Sequence, residues 1–438
     1  MTLAQAPPQA EEVPLRRNRN FQFLWAGSAL SVLAERFSAM AFTLLVIWSG
    51  GSKSAAGLVA FAALLPMLLV QLPAGVLVDR WSRRRVMLIC VAGRLVGIGS
   101  VAAAVAADRV WVPHLAAVAF AQGCMTVFYQ LAERATVRAV VPTSQLPAAM
   151  AQNEARGRGA NFVGHPTGGV LFGLTAYAPF LTSTVFYLVS LVAMLRLRTP
   201  PQPPAKRRSW GIGAGLRWVW GRRYFRTALL LIAGSNLLFQ GVILTLQVVV
   251  KEQGRSSAVA GLIMAAGSIG GLVGAVVGGW WVRRMAMRHI MVVAYLAWAL
   301  VMPGLIVVSH PVAFGGLFFT TSLIGAATTV AGMVYQLRIT PDAMQGRVGS
   351  VVLLLTSGAS SLGALGTGFL LEEVSTTRAF AVMSVAMGLL ALITAATFLG
   401  RKAAADERTP RRPERRYGKS IGGRSMLAPS VIVSAGRT

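Results

Sequence analysis

The chain has 438 residues, of which 55% are apolar and only 13% are charged. A soluble globular protein is about a quarter charged, so this composition argues against an ordinary soluble enzyme, a disordered regulator and a secreted disulfide scaffold. The net charge of +28 would suggest a nucleic-acid partner in a soluble protein. Here the basic residues lie between apolar runs, which is the pattern of a membrane protein, and no nucleic-acid partner is expected.

Apolar runs long enough to cross a bilayer recur twelve times, in two sets of six. A span needs roughly 20 apolar residues and must satisfy its own backbone hydrogen bonds, so each continuous run is predicted to be a helix. The runs cover residues 21–49, 56–78, 86–107, 111–132, 157–177 and 179–195, then 227–250, 258–282, 289–308, 312–335, 349–371 and 378–399. The sequence therefore predicts an all-α protein with two six-helix bundles, residues 21–195 and 227–400.

Lys and Arg are strongly biased to one side of this layout. With the N-terminal arm 1–20 in the cytoplasm, 35 of the 42 basic residues fall on the cytoplasmic side and 5 in outer loops. Basic loops stay in the cytoplasm, so both termini are predicted to be cytoplasmic, in the plasma membrane. The linker 196–226 is predicted to form an amphipathic helix on the anionic inner leaflet, and the basic tail 401–438 to be disordered.

The most specific motif lies between the second and third predicted spans. It reads GVLVDRWSRRR, and its candidate gate residues are Gly75, Asp79, Arg80, Arg83 and Arg84. The glycine would permit close helix approach. A carboxylate among guanidinium groups can hold two helices together in one conformation and release them in another. The alternative interpretation is that the arginines only fix the topology.

The fifth predicted span is unusually rich in glycine. Its candidate motif comprises Gly164, His165, Pro166, Gly168 and Gly169. Small residues let a neighbouring helix approach, and proline removes a backbone hydrogen bond and introduces a kink. The motif could shape a helix beside a substrate path, or it could serve packing alone.

Glu35 is the acid predicted to lie deepest in the membrane, about 21 Å along the first helix at roughly 1.5 Å per residue. A carboxylate there must be neutral, paired or facing water. If it alternates between protonated and ionised, it could couple proton entry to substrate exit. A static ion pair with Arg36 or with Arg94 of the third span is the alternative. Adjacent residues on a helix point about 100° apart, which makes Arg36 a poor permanent partner. Arg94 could instead bind an anionic substrate group or snorkel to the interface. The other cavity candidates are polar residues within spans, Gln71, Gln122, Asn236 and Gln240.

The motif G-x-x-x-D-R-x-x-R-R, from Gly75 to Arg84, resembles the hallmark of the major facilitator superfamily, and the resemblance covers roughly residues 16–400. The stretches RNRNFQFLWAGSALSVLAERF and LRWVWGRRYFR are similar to the drug:proton antiporter and enterobactin-exporter-like branch. The fifth-span motif of that branch is G-P-x-x-G-G, in which His165 replaces a proline here. Relatives commonly carry acids at two positions where this chain has Val91 and Ser183, and the loop GGWWVRRMAMRH lacks the acid of the first-half motif.

Together these features predict a secondary active transporter that exports a small or medium hydrophobic compound, such as a drug, siderophore or secondary metabolite. Proton antiport with alternating access is the predicted mechanism, and the predicted partners are the substrate, protons and the lipid bilayer, with the chain acting as a monomer. Its two cysteines have no metal-ligand spacing, and no nucleophile–base pair or phosphate loop is present, so no metal, cofactor or enzymatic activity is expected. A passive or inward-directed carrier of the same fold and a non-transporting receptor remain as alternatives.

Overall fold

The computed structural model of the chain describes residues 14–199 and 212–399. These residues form α-helices joined by short turns, without a β-strand. The helices are α1 (Arg19–Trp48), α2 (Lys53–Leu69), α3 (Gln71–Arg80), α4 (Arg83–Ala106), α5 (Val112–Val140), α6 (Leu146–Leu174), α7 (Ala178–Arg196), α8 (Ile212–Trp220), α9 (Arg223–Glu252), α10 (Ser257–Arg284), α11 (Met287–Val301), α12 (Gly304–Val307), α13 (Pro311–Ile339), α14 (Gln345–Glu373) and α15 (Thr376–Phe398). The predicted tail 401–438, most of the N-terminal arm and residues 200–211 of the predicted linker lie outside the described residues.

Ten segments are long and apolar enough to cross a membrane, with α11 and α12 counted as one. Helices α2 and α3 pass this test only together and are bent by 62°, so the count rises to eleven if they form one span. Helix α6 is as long as α5 but is not among these segments, because Arg156, Arg158, Asn161 and His165 interrupt its apolar sequence. The all-helical membrane architecture is confirmed, whereas the described residues do not reach the predicted count of twelve by length and composition.

The outer surface of the helices carries large apolar side chains. Val276, Leu300 and Val307 are 74%, 82% and 85% exposed. Soluble monomers rarely expose contiguous apolar patches above a few hundred Å², so an exposed belt of this kind fits lipid contact.

Helix α1 is the centre of packing for the first half of the chain, α1–α7. It is buried along much of its length and contacts α2, α5, α6 and α7. The hydroxyls of Ser28 and Tyr129 are hydrogen-bonded at 2.7 Å, which joins α1 to α5. The buried Ser190 hydroxyl of α7 donates to the Gly27 carbonyl oxygen at 2.7 Å. Small polar residues thus let helices approach closely and supply interhelical hydrogen bonds, which is the usual way that membrane helices associate.

In the second half, α9–α15, a glycine stripe on α10 provides the closest helix contact. The stripe consists of Gly267, Gly270, Gly274 and Gly278. A Cβ added at Gly274 would collide with the backbone of Leu323 on α13. Because the four glycines recur every three or four residues, they share one face of α10 and let α13 lie directly against its backbone.

Helix α8 lies within the predicted amphipathic linker and packs against the second half. Its Trp218 and Val219 are buried in a small cluster with Phe225, Val348 and Val351. The opposite face exposes apolar side chains at Leu216 and Trp220, at 44% and 43%. One face is therefore held by protein, and the other is free to meet a membrane interface.

The helices alternate between two ends of the bundle, which we name after one residue at each. The Lys53 end carries the turns that precede α2, α5, α7, α10, α13 and α15. The Asp79 end carries the turns that precede α4, α6, α11 and α14, together with the start of α9.

The two halves are joined near the Lys53 end. Glycines face each other there in α2 and α14: a Cβ on Gly57 would lie 2.7 Å from the Gly368 Cα. Gly169 of α6 and Gly261 of α10 meet in the same way. Three contacts add polar links across the halves: Lys53 Nζ to Glu252 Oε1 at 2.6 Å, Ser54 N to Glu372 Oε2 at 3.1 Å, and Ser257 Oγ to Gly169 O at 3.2 Å.

Candidate functional site

A cavity of about 960 Å³ lies between the two halves. Residues of α1, α2 and α6 line it on one side and residues of α9, α10, α11 and α13 on the other. Its polar lining includes Arg36, Arg158, Asn161, His165, Asn236 and Gln240, and its aromatic lining includes Phe162, Phe239, Trp298 and Phe318. No carboxylate lines it among the described residues. A largely apolar cavity with a few polar groups is the usual form of a small-molecule site.

The cavity opens toward the Asp79 end. Helix α6 begins at that end, and the exposed Ala155, Arg158 and Gly159 near its start belong to the lining. At the Lys53 end the glycine contacts and the Lys53–Glu252 ion pair bring the halves together. This conformation is therefore closed at one end of the bundle and open at the other.

Glu35 and Arg94 lie at a buried junction inside the first half. Arg94 on α4 is only 2% exposed, and its Nη1 donates to the Ser31 hydroxyl at 2.9 Å. Its Nη2 lies 3.8 Å from Glu35 Oε2. The guanidinium also faces the rings of Tyr129 and Tyr187, at 5.3 and 5.8 Å from their centroids. Arg94 therefore does not line the cavity, and the negative charge of Glu35 compensates its buried positive charge.

Arg36 connects this junction to the cavity. Its Nη2 lies 3.9 Å from Glu35 Oε1, while its side chain belongs to the cavity lining. Glu35 is thus placed between a buried guanidinium and one that faces the cavity. Adjacent residues on a helix point about 100° apart, which explains why the sequence favoured Arg94 over Arg36 as a partner; the long arginine side chain bridges that angle.

The fifth-span motif lies on α6, and its glycines make close contacts. Gly164 faces the Arg36 side chain, and Gly168 faces the backbone of Phe37, with 3.2 Å between an added Cβ and the Phe37 Cα. Gly169 faces α10 across the halves. His165 lines the cavity, and its Nδ1 lies 3.1 Å from the carbonyl oxygen of Asn161. Pro166 lies within the helix, where it removes one backbone donor.

Gly164→Ala is expected to lower the melting temperature of the purified protein. The added Cβ would overlap the Arg36 Cβ and lie 3.1 Å from its Cγ, and overpacking of this kind costs roughly 1–3 kcal/mol. Gly159→Ala on the same helix is the matched control, because a Cβ there meets open space and Ala is intrinsically favoured over Gly in a helix. Equal thermal unfolding curves for the two variants would show that Gly164 does not set this contact.

The other cavity candidates separate into two groups. Asn236 and Gln240 line the cavity. Gln122 is buried in the first half, where its Nε2 donates to the Ser38 hydroxyl at 2.9 Å. Gln71 is the first residue of α3 and does not line the cavity.

The gate motif spans the end of α3 and the start of α4. Arg83 Nη1 donates to the Ala135 carbonyl oxygen at 3.1 Å, and Arg84 Nη2 donates to the Leu195 carbonyl oxygen at 2.6 Å. Asp79 and Arg80 occupy the last turn of α3. The close approach expected at Gly75 is not present here, because a Cβ at that position meets open space among the described residues.

Sequence reasoning missed several parts of the site. Arg158, Asn161 and Phe239 line the cavity without having been candidates. An ion pair between Glu133 of α5 and Arg156 of α6, 2.5 Å apart, was also missed. Glu133 and Arg156 are charged residues beside apolar runs, and this feature of the sequence could have predicted that they pair.

The described residues contain no cluster of three or more His, Cys, Asp or Glu side chains that could hold a metal ion. The two cysteines are both free, with Cys90 buried and Cys124 half-buried.

Comparisons with known proteins cover nearly the whole chain. A family model described as transmembrane secretion effector matches residues 10–417. The multidrug efflux pump Tap of Mycobacterium tuberculosis is 30% identical over 412 residues, covering 86% of this chain and 93% of that protein. The MFS-type transporter YfiS of Bacillus subtilis is 24% identical over 421 residues, covering 91% and 97%. The crystal structure of the nucleoside transporter NupG has a similar fold, with a TM-score of 0.68 at 13% identity, covering 87% of this chain and 100% of that one.

Proposed function

The chain belongs to the transmembrane secretion effector family of the major facilitator superfamily, and we propose that it exports a small or medium hydrophobic compound across the plasma membrane by alternating access. The observation that carries this proposal is the cavity shared by both halves, closed at the Lys53 end and open at the Asp79 end. Rocking of the halves would open the Lys53 end and close the other. The similarity to a multidrug efflux pump supports the outward direction.

The membrane layout belongs to the same proposal. Helices α1–α7 and α9–α15 would each supply six spans, with α2 and α3 as one bent span and α6 as a polar span that lines the cavity. The Asp79 end would face the cytoplasm, because most Lys and Arg residues lie on that side. Both termini would then be cytoplasmic, and the chain would act as a monomer.

The cavity lining supports a hydrophobic substrate. Phe239, Trp298 and Phe318 offer aromatic surfaces, while Asn236 and Gln240 offer amide groups that could orient a polar substituent. Arg36 and Arg158 bring positive charge, and no described lining residue brings a carboxylate. Lipophilic cations should therefore be the poorest substrates, and neutral compounds with hydrogen-bond acceptors should be better ones.

Proton coupling is proposed to act at Glu35. In its ionised form the carboxylate lies within 4 Å of the guanidinium groups of Arg94 and Arg36. Protonation would leave Arg94 buried without its counter-charge, which is costly, and would also release Arg36 toward the cavity. The charge of one buried acid would thus bias the packing of α1 and change the surface that a substrate meets.

The gate motif is proposed to act in the conformation that is closed at the Asp79 end and open at the Lys53 end. When the Asp79 end closes, Gly75 would permit a neighbouring helix to approach, and Asp79 with Arg80 and Arg84 would latch that side. The open space beside Gly75 in the present conformation is compatible with this role.

Transport into everted membrane vesicles tests the proposed function. Nile red, a neutral hydrophobic dye, should accumulate in vesicles containing the protein when the lumen is acidified, and collapse of the pH gradient should abolish accumulation. Ethidium, a lipophilic cation, should be transported more slowly. Absence of protein-dependent transport for every compound in a broad hydrophobic panel would contradict export.

The passive or inward-directed carrier remains a second candidate, and one observation favours it. Val91 and Ser183, at the positions where relatives were expected to carry acids, are fully buried and not acidic. Glu35 therefore has no additional acid at either of these two positions with which to share the proposed proton transfer. Protein-dependent flux that is equal with and without a pH gradient would identify the passive carrier. Binding without flux would instead identify a receptor.

A further inference from the structure

A second concave site lies at the Asp79 end, away from the cavity. It is a pocket of about 990 Å³ formed where α1 begins, α4 begins and α7 ends. Two hydrogen bonds hold its walls together: Arg84 Nη2 donates to the Leu195 carbonyl oxygen at 2.6 Å, and the Arg198 backbone N–H donates to Asn20 Oδ1 at 3.2 Å. Of the residues that line this pocket, the function proposed above uses only Arg84, in the latch of the Asp79 end.

The pocket is strongly basic. Its lining contains the five arginines Arg19, Arg84, Arg85, Arg196 and Arg198, and no Asp or Glu. The Nε of Arg84 is buried and has no hydrogen-bond partner among the described residues. Five guanidinium groups around one hollow repel each other, and that repulsion is relieved when an anion binds between them.

The start of α4 adds backbone donors to the same pocket. Ser82 is the N-cap residue of α4 and lines the pocket, but its side chain makes no capping hydrogen bond. The first N–H groups of a helix have no partner within the helix, and together with the helix dipole they favour a phosphate group. The arginines and the uncapped helix start therefore point to the same ligand chemistry.

The surface next to the pocket indicates that the phosphate group belongs to a lipid. Helix α7 exposes a continuous apolar face that runs the length of the helix and ends at the pocket. Its residues are Leu181, Val185, Leu188, Val189, Val192 and Leu195, each between 43% and 55% exposed. Leu195 itself lines the pocket. Acyl chains lying along this face would place a lipid headgroup among the arginines.

We propose that this pocket binds the phosphate headgroup of an anionic phospholipid, with the acyl chains along α7. Basic pockets between transmembrane helices on the cytoplasmic side are suited to such headgroups. A bound lipid would bridge the starts of α1 and α4 to the end of α7 and hold the Asp79 side of the first half together.

Native mass spectrometry of the full chain in detergent tests the proposal. The protein is titrated with phosphatidylglycerol and, separately, with phosphatidylcholine. The pocket variant carries three exposed arginines changed to glutamine: Arg85→Gln, Arg196→Gln and Arg198→Gln. Because each basic side chain near a membrane surface adds roughly fivefold to anionic lipid binding, apparent affinity for phosphatidylglycerol should fall by about tenfold or more. Binding of phosphatidylcholine should be weak and unchanged.

A matched control removes the same number of charges elsewhere at the Asp79 end. It carries Arg138→Gln, Arg283→Gln and Arg338→Gln, all on exposed side chains outside the pocket. Its affinity for phosphatidylglycerol should stay within about twofold of the wild type. Equal losses in the pocket and control variants would overturn the proposal, because net charge alone would then explain binding.

Two further experiments address a folding defect of the triple variant and distinguish a lipid headgroup from free phosphate. If the triple variant does not fold, Arg196→Gln alone should still weaken phosphatidylglycerol binding by roughly fivefold, and no weakening would overturn the assignment. Millimolar inorganic phosphate should leave phosphatidylglycerol bound. If inorganic phosphate displaces the lipid, the pocket is a site for free phosphate and the lipid proposal is wrong.

Discussion

Replacing Glu35 by glutamine is expected to reduce pH-gradient-driven Nile red transport by about tenfold or more, because the proposed proton carrier within the membrane is lost. The substitution keeps the size and hydrogen-bonding shape of the side chain but removes its charge. Arg94 is 2% exposed and lies 3.8 Å from Glu35, so it would be left without its counter-charge. The measurement is the initial transport rate in everted vesicles, normalised to the amount of folded protein.

The control for this prediction separates coupling from structural support. Glu35→Gln alone should lower the melting temperature, because removing one partner of a buried pair leaves an uncompensated charge. The double variant Glu35→Gln with Arg94→Gln should regain much of that stability, since the buried charge of Arg94 is removed together with its partner, yet should stay uncoupled. If the double variant regains pH-driven transport as well, Glu35 is only a structural partner of Arg94. Unaltered transport in the single variant would also contradict the coupling role.

Gly368→Leu is expected to abolish transport by preventing closure at the Lys53 end. A Cβ on Gly368 would lie 2.8 Å from the Gly57 Cα and 3.1 Å from the Lys53 carbonyl oxygen. Protein backbone cannot move aside as a flexible side chain can, so the larger leucine side chain should force α2 and α14 apart. Without closure at this end the cavity would stay open to that side of the membrane throughout the cycle, and alternating access would fail.

The matched control is Gly366→Leu, two residues earlier on the same helix. A Cβ at Gly366 meets open space, and the residue is exposed. This variant should keep at least about half of wild-type transport, because surface substitutions away from packing contacts are usually within 0.5 kcal/mol. Equal transport by the Gly368 and Gly366 variants would show that the glycine contact is not needed for the transport cycle.

Much of the architecture could be predicted from the sequence because lipid imposes simple rules on a chain. Continuous apolar runs have to be helices, and their bounds are recovered to within a few residues for α4, α7, α9 and α15. Helix α6 was predicted as a shorter span, 157–177, because Arg156 interrupts the apolar pattern, whereas its helical backbone begins at Leu146. Its polar residues Arg158, Asn161 and His165 line the cavity, and Arg156 forms the ion pair with Glu133, so these side chains do not need to contact lipid.

The candidate site was harder to predict because it is built from distant parts of the chain. The Lys53–Glu252 ion pair joins residues 199 positions apart, and no local pattern marks either partner. The glycines of α6 predicted close contacts with neighbouring helices. The identity of each neighbour depends on tertiary packing: Gly164 faces α1, whereas Gly169 faces α10. Arg36 was judged by its direction from the helix, which underestimates how far a flexible guanidinium can reach.

In the proposed transport cycle, the cavity between the halves is reached from the cytoplasm through the Asp79 end. Ala155 is exposed and lines that opening, so the most direct measurement places a cysteine there after the two native cysteines are replaced by alanine. A membrane-impermeant maleimide should label Ala155→Cys rapidly in everted vesicles and slowly in intact cells. Labelling that is as fast or faster from outside intact cells would contradict access to the cavity from the cytoplasm.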